Sequence, residues 1–462
     1  MKINLYFLIV FLNTGLCFAQ FGEQQIITSG ASGAHDVIAA DLNGDGNKDV
    51  ISASAGNSSK LAWYPNNGQG DFGPQQIVTE ELSGIRKVFA ADLDGDGDLD
   101  LLSQDGGFDI VVWFENLDGL GNFGAQNLIT NNADGVSYVY AADIDNDGDM
   151  DVLSSSSFDS KIAWYENLDG LGDFGPQLII NGNANDVRSV FAADIDGDGD
   201  LDVLCPSSSI GIGYPTWYEN LDGLGNFGPE IDITFDTLGG SFTIAVDLDN
   251  DDDMDVINVE YGGNTIAWFE NTDGLGNFGP KNIISNIIQP LKIVAKDFDN
   301  DGDIDIASIN HDNDGTTAVY WHENTDGLGT FSPEQIISTN ILGGRGIDAA
   351  DLDNDGDMDV LSASIIDYKI AWYENLTILG LEEETSVSEI IFYPNPVKNV
   401  LNFNTKNNII VHKVSVYSAL GSLVLENNNP TNSINVSKLF SGFYFVQLKT
   451  ENGELVKKVI KE

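Results

Sequence analysis

Cysteine is nearly absent from this chain of 462 residues, which has two. Cys17 lies in an N-terminal stretch with the marks of an export leader, so Cys205 stands alone and the mature chain can form no internal disulfide. Basic residues are equally scarce: 20 Lys and Arg face 73 Asp and Glu, giving a formal net charge of −53. That balance makes nucleic acid and anionic membranes poor partners, because phosphate binding wants dense Lys and Arg. After the leader no apolar run approaches the ~18 residues that a membrane span requires, so no transmembrane segment is expected. No helical 3.6-residue periodicity is present. Among catalytic signatures there is no Gly-x-Ser-x-Gly elbow, no zinc-ligand His pair and no Cys–His arrangement. The four histidines, His35, His311, His322 and His412, occupy unrelated places.

What is abundant is aspartate, and it recurs in one motif. Asp-x-Asp-x-Asp-Gly-Asp-x-Asp begins at Asp41, Asp92, Asp143, Asp194, Asp247, Asp297 and Asp351, in steps of 51, 51, 51, 53, 50 and 54 residues. A period of that length signals an array of supersecondary units. Each period places an apolar stretch such as Val88-Phe89-Ala90-Ala91 before the acidic loop and another, such as Leu101-Leu102-Ser103, after it. A Trp-aromatic-Glu-Asn segment follows, as in Trp113-Phe114-Glu115-Asn116, and all seven tryptophans fall at this position. Then come a Gly-rich turn, Phe-Gly and an alternating run such as Gln126-Asn127-Leu128-Ile129. Short β-branched and aromatic runs punctuated by Gly, Asp and Asn read as strands. Four strands in about 50 residues, seven times over, predict an all-β chain built on a seven-bladed β-propeller.

The last repeat stops at Leu376-Thr377-Ile378 without its fourth strand, and the missing piece stands at the other end as Phe21-Gly22-Glu23-Gln24-Gln25-Ile26-Ile27. This segment is expected to complete the seventh blade, closing the ring without an open edge. Residues 1–19 read as a signal peptide: Lys2, the apolar stretch Leu5 to Leu12, and Cys17-Phe18-Ala19 as the cleavage site before Gln20. Leu16, directly before Cys17, argues against a lipid-modified cysteine.

Alternating carboxylates crowded into a loop need a cation, and six to eight flexible oxygens suit Ca²⁺ better than Mg²⁺. The candidate ligand positions are Asp41, Asn43, Asp45, Asn47 and Asp49 in the first loop, and Asp92, Asp94, Asp96, Asp98 and Asp100 in the second. The third offers Asp143, Asp145, Asp147, Asp149 and Asp151, and the fourth Asp194, Asp196, Asp198, Asp200 and Asp202. The fifth offers Asp247, Asp249, Asp251, Asp253 and Asp255, the sixth Asp297, Asp299, Asp301, Asp303 and Asp305, and the seventh Asp351, Asp353, Asp355, Asp357 and Asp359. In the second loop Asp98 would give its backbone carbonyl and the other four their side chains, with Gly97 making the sharp turn. An EF-hand starts in the same way but needs Glu at its twelfth position, where the second loop has Ser103 and the third Ser154. Up to seven Ca²⁺ are expected. The first loop, with Lys48 inside it, should bind most weakly, and the fifth is weakened by Asp252 where the others have Gly.

These repeats resemble the FG-GAP (VCBS-type) family, which includes the ligand-binding propellers of integrin α chains. The resemblance covers about residues 21 to 376 and rests on the acidic loops and on Phe-Gly at Phe21, Phe72, Phe123, Phe174, Phe227 and Phe278; at Phe331 the next residue is Ser332. It implies that each loop joins the first two strands of a blade and holds one Ca²⁺ on the lower face of the ring. Composition changes beyond residue 377: no Asp occurs after Asp367, and from Ser388 eight Lys stand against five Glu. Phe392-Tyr393-Pro394-Asn395-Pro396, the strand Gly442-Phe443-Tyr444 and the lysine-rich end resemble the C-terminal sorting domain of the bacterial type IX secretion system, a small β-sandwich. The expected organisation is thus a signal peptide (1–19), a propeller (20–376), a linker (377–388) and a sorting domain (389–462). The resemblance implies contact with the type IX machinery, and a protein either secreted or attached to the outer face of the outer membrane.

Six residues before each acidic loop, at the start of the innermost strand, the sequence reads His35, Arg86, Ser137, Arg188, Ser241, Leu291 and Arg345. Three Arg and one His at the upper mouth of the channel would form a cationic ring suited to uronate or sulfate, whose oxyanions match the planar guanidinium fork. The competing reading pairs these arginines with nearby acids such as Glu81 or Asp186. The expected function is a calcium-binding recognition or adhesion module for a glycan or a cell-surface or matrix protein. The alternative is a calcium-dependent extracellular polysaccharide-degrading enzyme.

Overall fold

The computed structural model describes residues 20–56, 59–185, 187–207, 213–311, 317–377 and 390–461, the last apart from breaks at 395, 406–410, 419–422, 429, 431, 441 and 451–452. The expected signal peptide and all but the first residue of the expected linker lie outside these. The chain divides into two compact units, Met1–Thr377 and Ile378–Glu462. Among the described residues every element is a strand.

The first unit is a seven-bladed propeller of seven four-stranded antiparallel sheets. Blade 1 consists of Ala34–Ala40, Asp49–Ser54, Lys60–Tyr64 and Gln76–Thr79, hydrogen-bonded in that order. In blade 7 the strands Gly344–Ala350, Asp359–Ser364 and Lys369–Tyr373 are completed by Gln25–Thr28 from the start of the chain. Gln25 pairs with Trp372, and Phe21 bridges to Asn375. The first strand of each blade touches the first strands of both neighbours, all the way round. These strands therefore line the centre, and the fourth strands form the rim. Second strands such as Asp49–Ser54 and Asp100–Asp105 are buried along their whole length, whereas fourth strands such as Gln76–Thr79 begin exposed.

Two residues of the Trp-aromatic-Glu-Asn segment join blade to blade. The Trp63 ring lies against Gly121 in the turn of blade 2, where a Cβ would come within 2.3 Å, and Trp113, Trp164, Trp217, Trp268 and Trp372 meet the equivalent glycines of their neighbours. Trp321 meets Phe21 instead, edge to face at 6.1 Å, so the N-terminal segment supplies the packing that a turn supplies elsewhere. The Asn side chain donates to a carbonyl in the acidic loop of the preceding blade: Asn116 to Leu42 O at 2.9 Å, Asn167 to Leu93 O at 2.9 Å, and Asn66 to Leu352 O at 2.7 Å across the closure. The departure at Ser332 costs nothing structurally, because its N–H donates to Glu323 O at 2.8 Å just as Gly175 does to Glu166 O at 2.7 Å.

In the second unit a three-stranded sheet (Ile390–Tyr393, Val400–Thr405, Ser433–Asn435) and a four-stranded sheet built round Val411–Ser418 and Gly442–Thr450 share one core, which includes Leu401, Phe403, Val414 and Leu448.

Candidate functional site

The acidic loops connect the first and second strands of every blade, at one end of the ring. In the second loop Asp92 accepts from Gly95 N at 2.8 Å and from Gly97 N at 3.0 Å, and Asp96 accepts from Asp98 N at 2.9 Å. Asp100 is buried and staples the loop shut, taking Leu93 N at 3.0 Å on one oxygen and Asn116 N at 2.8 Å on the other. The sharp turn has φ of +96° at Gly97, and Asp252 adopts +71° at the same place in the fifth loop. Sequence reading overlooked the fourth loop position, which is also left-handed: Gly95 has φ +72° and Asn146 +60°. Its signal was there, since this position is Gly or Asn in all seven loops.

This geometry gathers carboxylates without cancelling their charge. Ligand-type oxygens of Asp92, Asp94 and Asp96 lie within 4.8 Å of one another, as do those of Asp143, Asp145 and Asp151. Burial pushes Asp100 up to about 7, with Asp94 and Asp96 adding repulsion, and Asp359 up to about 8. Asp145, Asp249, Asp297 and Asp351 each keep one buried Oδ1 with no hydrogen-bond partner. Orphaned, mutually repelling oxygens of this kind fit a hard divalent cation. In five loops a glutamate from the third strand, such as Glu115 beside Asp94, deepens the negative field. The first loop has Pro65 at that position, and its Asn47 amide donates to Asp45 Oδ1 at 2.9 Å.

At the opposite end all seven residues of the expected tier, His35 through Arg345, line one cavity of about 360 Å³. A β-bulge sits at this level in blades 1, 3, 5, 6 and 7, with register shifts such as that between Ala34 and Asp36. It turns two consecutive side chains toward the channel. In blades 2 and 4 the strand starts later, at Val88 and Phe191, so Arg86 and Arg188 precede it on the entering chain. Among the described residues Arg86 has no carboxylate partner, so Glu81 does not neutralise it; Asp186 lies outside the described residues. Arg345 keeps a buried Nε without a partner. Burial lowers its pKa, and Arg86 and Arg188 press it the same way against an opposing pull from Tyr261. His35 is pulled below its ordinary 6.5, chiefly by burial and then by Arg345 and Arg86, against an opposing bond from Nδ1 to Gly33 O at 2.7 Å.

The residue after each of these seven forms a second tier that sequence reasoning missed. Fully buried Asp36 pairs with Lys87 at 3.0 Å and with Lys292, joining blades 1, 2 and 6. Lys87 Nζ stands 5.0 Å from the Tyr138 ring centre, and Tyr138 tilts against Phe242 at 6.0 Å. The upper loops expose Phe108, Phe158, Phe235 and Tyr368. Tyr214 and His311 are buried.

A family model described as an FG-GAP-like repeat matches residues 41–103, 151–205, 247–308 and 297–362. The chain belongs to the FG-GAP-like repeat family. A second family model, a secretion system C-terminal sorting domain, matches 391–462. This type IX sorting tail makes the FG-GAP-like protein one that is secreted or held at the outer-membrane surface. Two crystal structures of BBS1N in complex with ARL6DN, soaked with lead and with mercury, match at TM-scores of 0.53 and 0.52, with 8% and 9% identity over 78% of this chain and 98% of theirs. Such identities speak for the fold alone. PorZ, an essential bacterial surface component of the type-IX secretion system of Porphyromonas gingivalis, matches at 0.47 and 12% identity over 90% of this chain and 58% of its own. No curated protein matches the chain.

Proposed function

We propose that this FG-GAP-like protein is a calcium-stabilised recognition module, carrying up to seven Ca²⁺ on its lower face and binding an acidic group of a glycan or surface protein on its upper face. The signal peptide is assigned to 1–19, the propeller to 20–376, the linker to 377–388 and the sorting domain to 389–462. One observation carries the reading. On a chain of net charge −53, three arginines and a histidine from blades 1, 2, 4 and 7 converge on one cavity, and neither Arg86 nor Arg345 has a counter-carboxylate among the described residues. Guanidinium forks bind carboxylate and sulfate in a planar, two-point manner, and the exposed aromatics of the upper loops offer faces for sugar rings.

The test is calorimetric titration of the calcium-loaded full chain with inorganic sulfate, galacturonate and galacturonate oligomers. Arg86 and Arg188 are exposed, so Arg86→Ala and Arg188→Ala should keep the fold and weaken binding at least tenfold each. Unchanged affinity in both would overturn the reading. A degradative enzyme is the second reading, favoured by His35: a ring tethered through Nδ1 and held neutral leaves Nε2 as a base beside carboxylate-binding cations. Loss of viscosity when an acidic polysaccharide is incubated with the full chain, abolished by His35→Ala, would select it.

A further inference from the structure

The cavity has a floor. Directly beneath the cationic tier, Asp36, Lys87, Lys292, Tyr138 and Phe242 reach across from five of the seven blades. The two remaining blades leave room for this crossing. Blade 7 contributes Gly346, where a Cβ would come within 2.9 Å of Asp36 Cα, and blade 4 contributes the small Ser189. Below them Phe89, Tyr140 and Phe191 pack in series, with ring centres 4.8 and 5.2 Å apart. The channel is thus closed one residue below the arginines, and the cavity opens on the upper face alone.

Resting on the anion-binding reading above, we infer that the site captures the terminal acidic residue of a glycan chain, inserted end-on, and rejects the interior of a chain. A volume of about 360 Å³ is at the low end of ligand pockets, which run from about 300 to 1,000 Å³, and it suits a sugar unit better than a polymer segment. Depth decides the matter. Arg345, with its buried and unpartnered Nε, is recessed, whereas Arg86 and Arg188 are exposed at the wall. An interior uronate carries its carboxylate one bond from the ring, so reaching Arg345 requires the ring itself to enter. A ring with glycosidic bonds on both sides would have to leave by the path it came, and the floor gives the chain no other exit. A terminal ring has one such bond and meets no obstacle. Tyr138, Phe242 and Leu291 then offer apolar contact for its carbon face, while the guanidinium groups take its oxyanion.

The experiment titrates the calcium-loaded full chain with inorganic sulfate, galacturonate and oligogalacturonates from dimer to decamer, including oligomers amidated at the carboxylate of one terminal residue or the other. End capture expects one oligomer per protein, an affinity per chain that is flat beyond the trimer, and at least a tenfold loss when one particular end is amidated. Affinity that climbs in proportion to length, with neither amidation having an effect, overturns end capture and leaves anion binding standing. Absence of binding by every probe overturns both.

Discussion

At position 252 an aspartate holds φ at +71°, where the other six loops have glycine. A Cβ meets nothing within 4 Å at Gly46, Gly97, Gly148, Gly199 or Gly302, so the cost at Asp252 is one of backbone conformation and not of collision. Left-handed geometry costs an L-residue about 1–2 kcal/mol, and a glycine gives back about 0.4–1 kcal/mol through a freer unfolded chain. Asp252→Gly should therefore stabilise the protein by about 0.5 kcal/mol, seen as a small rise in Tm with calcium present. A second residue gives a pH dependence. His35 faces Arg86, Arg345 and Asp36, and its pKa when free is below 6.5. A bound anion favours the imidazolium, so binding takes up a proton and affinity rises as pH falls. Titrations across pH should show that slope in the native protein and lose it in His35→Ala. The buried His322 plays no such part. It occupies the place of the tyrosine or phenylalanine in other blades, bonds Ser308 Oγ at 2.9 Å, and burial drives its pKa down to about 3.

Among the elements, the acidic loops are hydrogen-bonded into a ring of their own. Asn167 donates to Leu93 O at 2.9 Å in the loop of blade 2, while its own N–H is held by Asp151 of blade 3 at 2.8 Å. Asn146 in the loop of blade 3 reaches Asp200 in the loop of blade 4 at 2.9 Å. Asn167→Ala strands buried backbone groups and should cost about 3 kcal/mol; because it cuts the tie between two loops, it should also flatten the calcium-binding isotherm relative to the native protein. The floor of the cavity is a second joint. Removing its shared anion by Asp36→Ala leaves Lys87 and Lys292 buried and unpaired, at a cost of about 3–5 kcal/mol, read as a fall in Tm. Much of this was legible beforehand. The period, the strand order, the completing N-terminal strand and the tier of His35, Arg86, Arg188 and Arg345 all follow from residues close together in the sequence or repeated in phase. The floor was not legible, because Asp36 and Lys292 are 256 residues apart and only the bulge makes two consecutive side chains face inward. The role of Asn167 was hidden for a similar reason: its partner lies in the preceding repeat.

At the scale of the whole molecule, charge sets the conditions for stability. Seven loops of converging carboxylates on a chain of net charge −53 repel one another, and burial adds to the cost. Chelation of calcium should lower Tm sharply, with added salt restoring part of the loss through screening; calorimetry with and without chelator at low and high ionic strength tests both parts. The closure of the ring has a different consequence. Leu376 N–H donates to Gln20 O at 2.6 Å, so the array begins and ends at one spot. Viewed as a circuit, the propeller has a single gap, and the asparagine ties between blades run across it, Asn66 to Leu352 O, as they do elsewhere. Joining those ends by a few residues and reopening the chain between two other blades should give a circular permutant with the same ring. A tensile load applied across the native gap would peel Gln25–Thr28 from its partner strand one hydrogen bond at a time. The permuted ring would take the same load elsewhere, with its seventh blade made covalently whole.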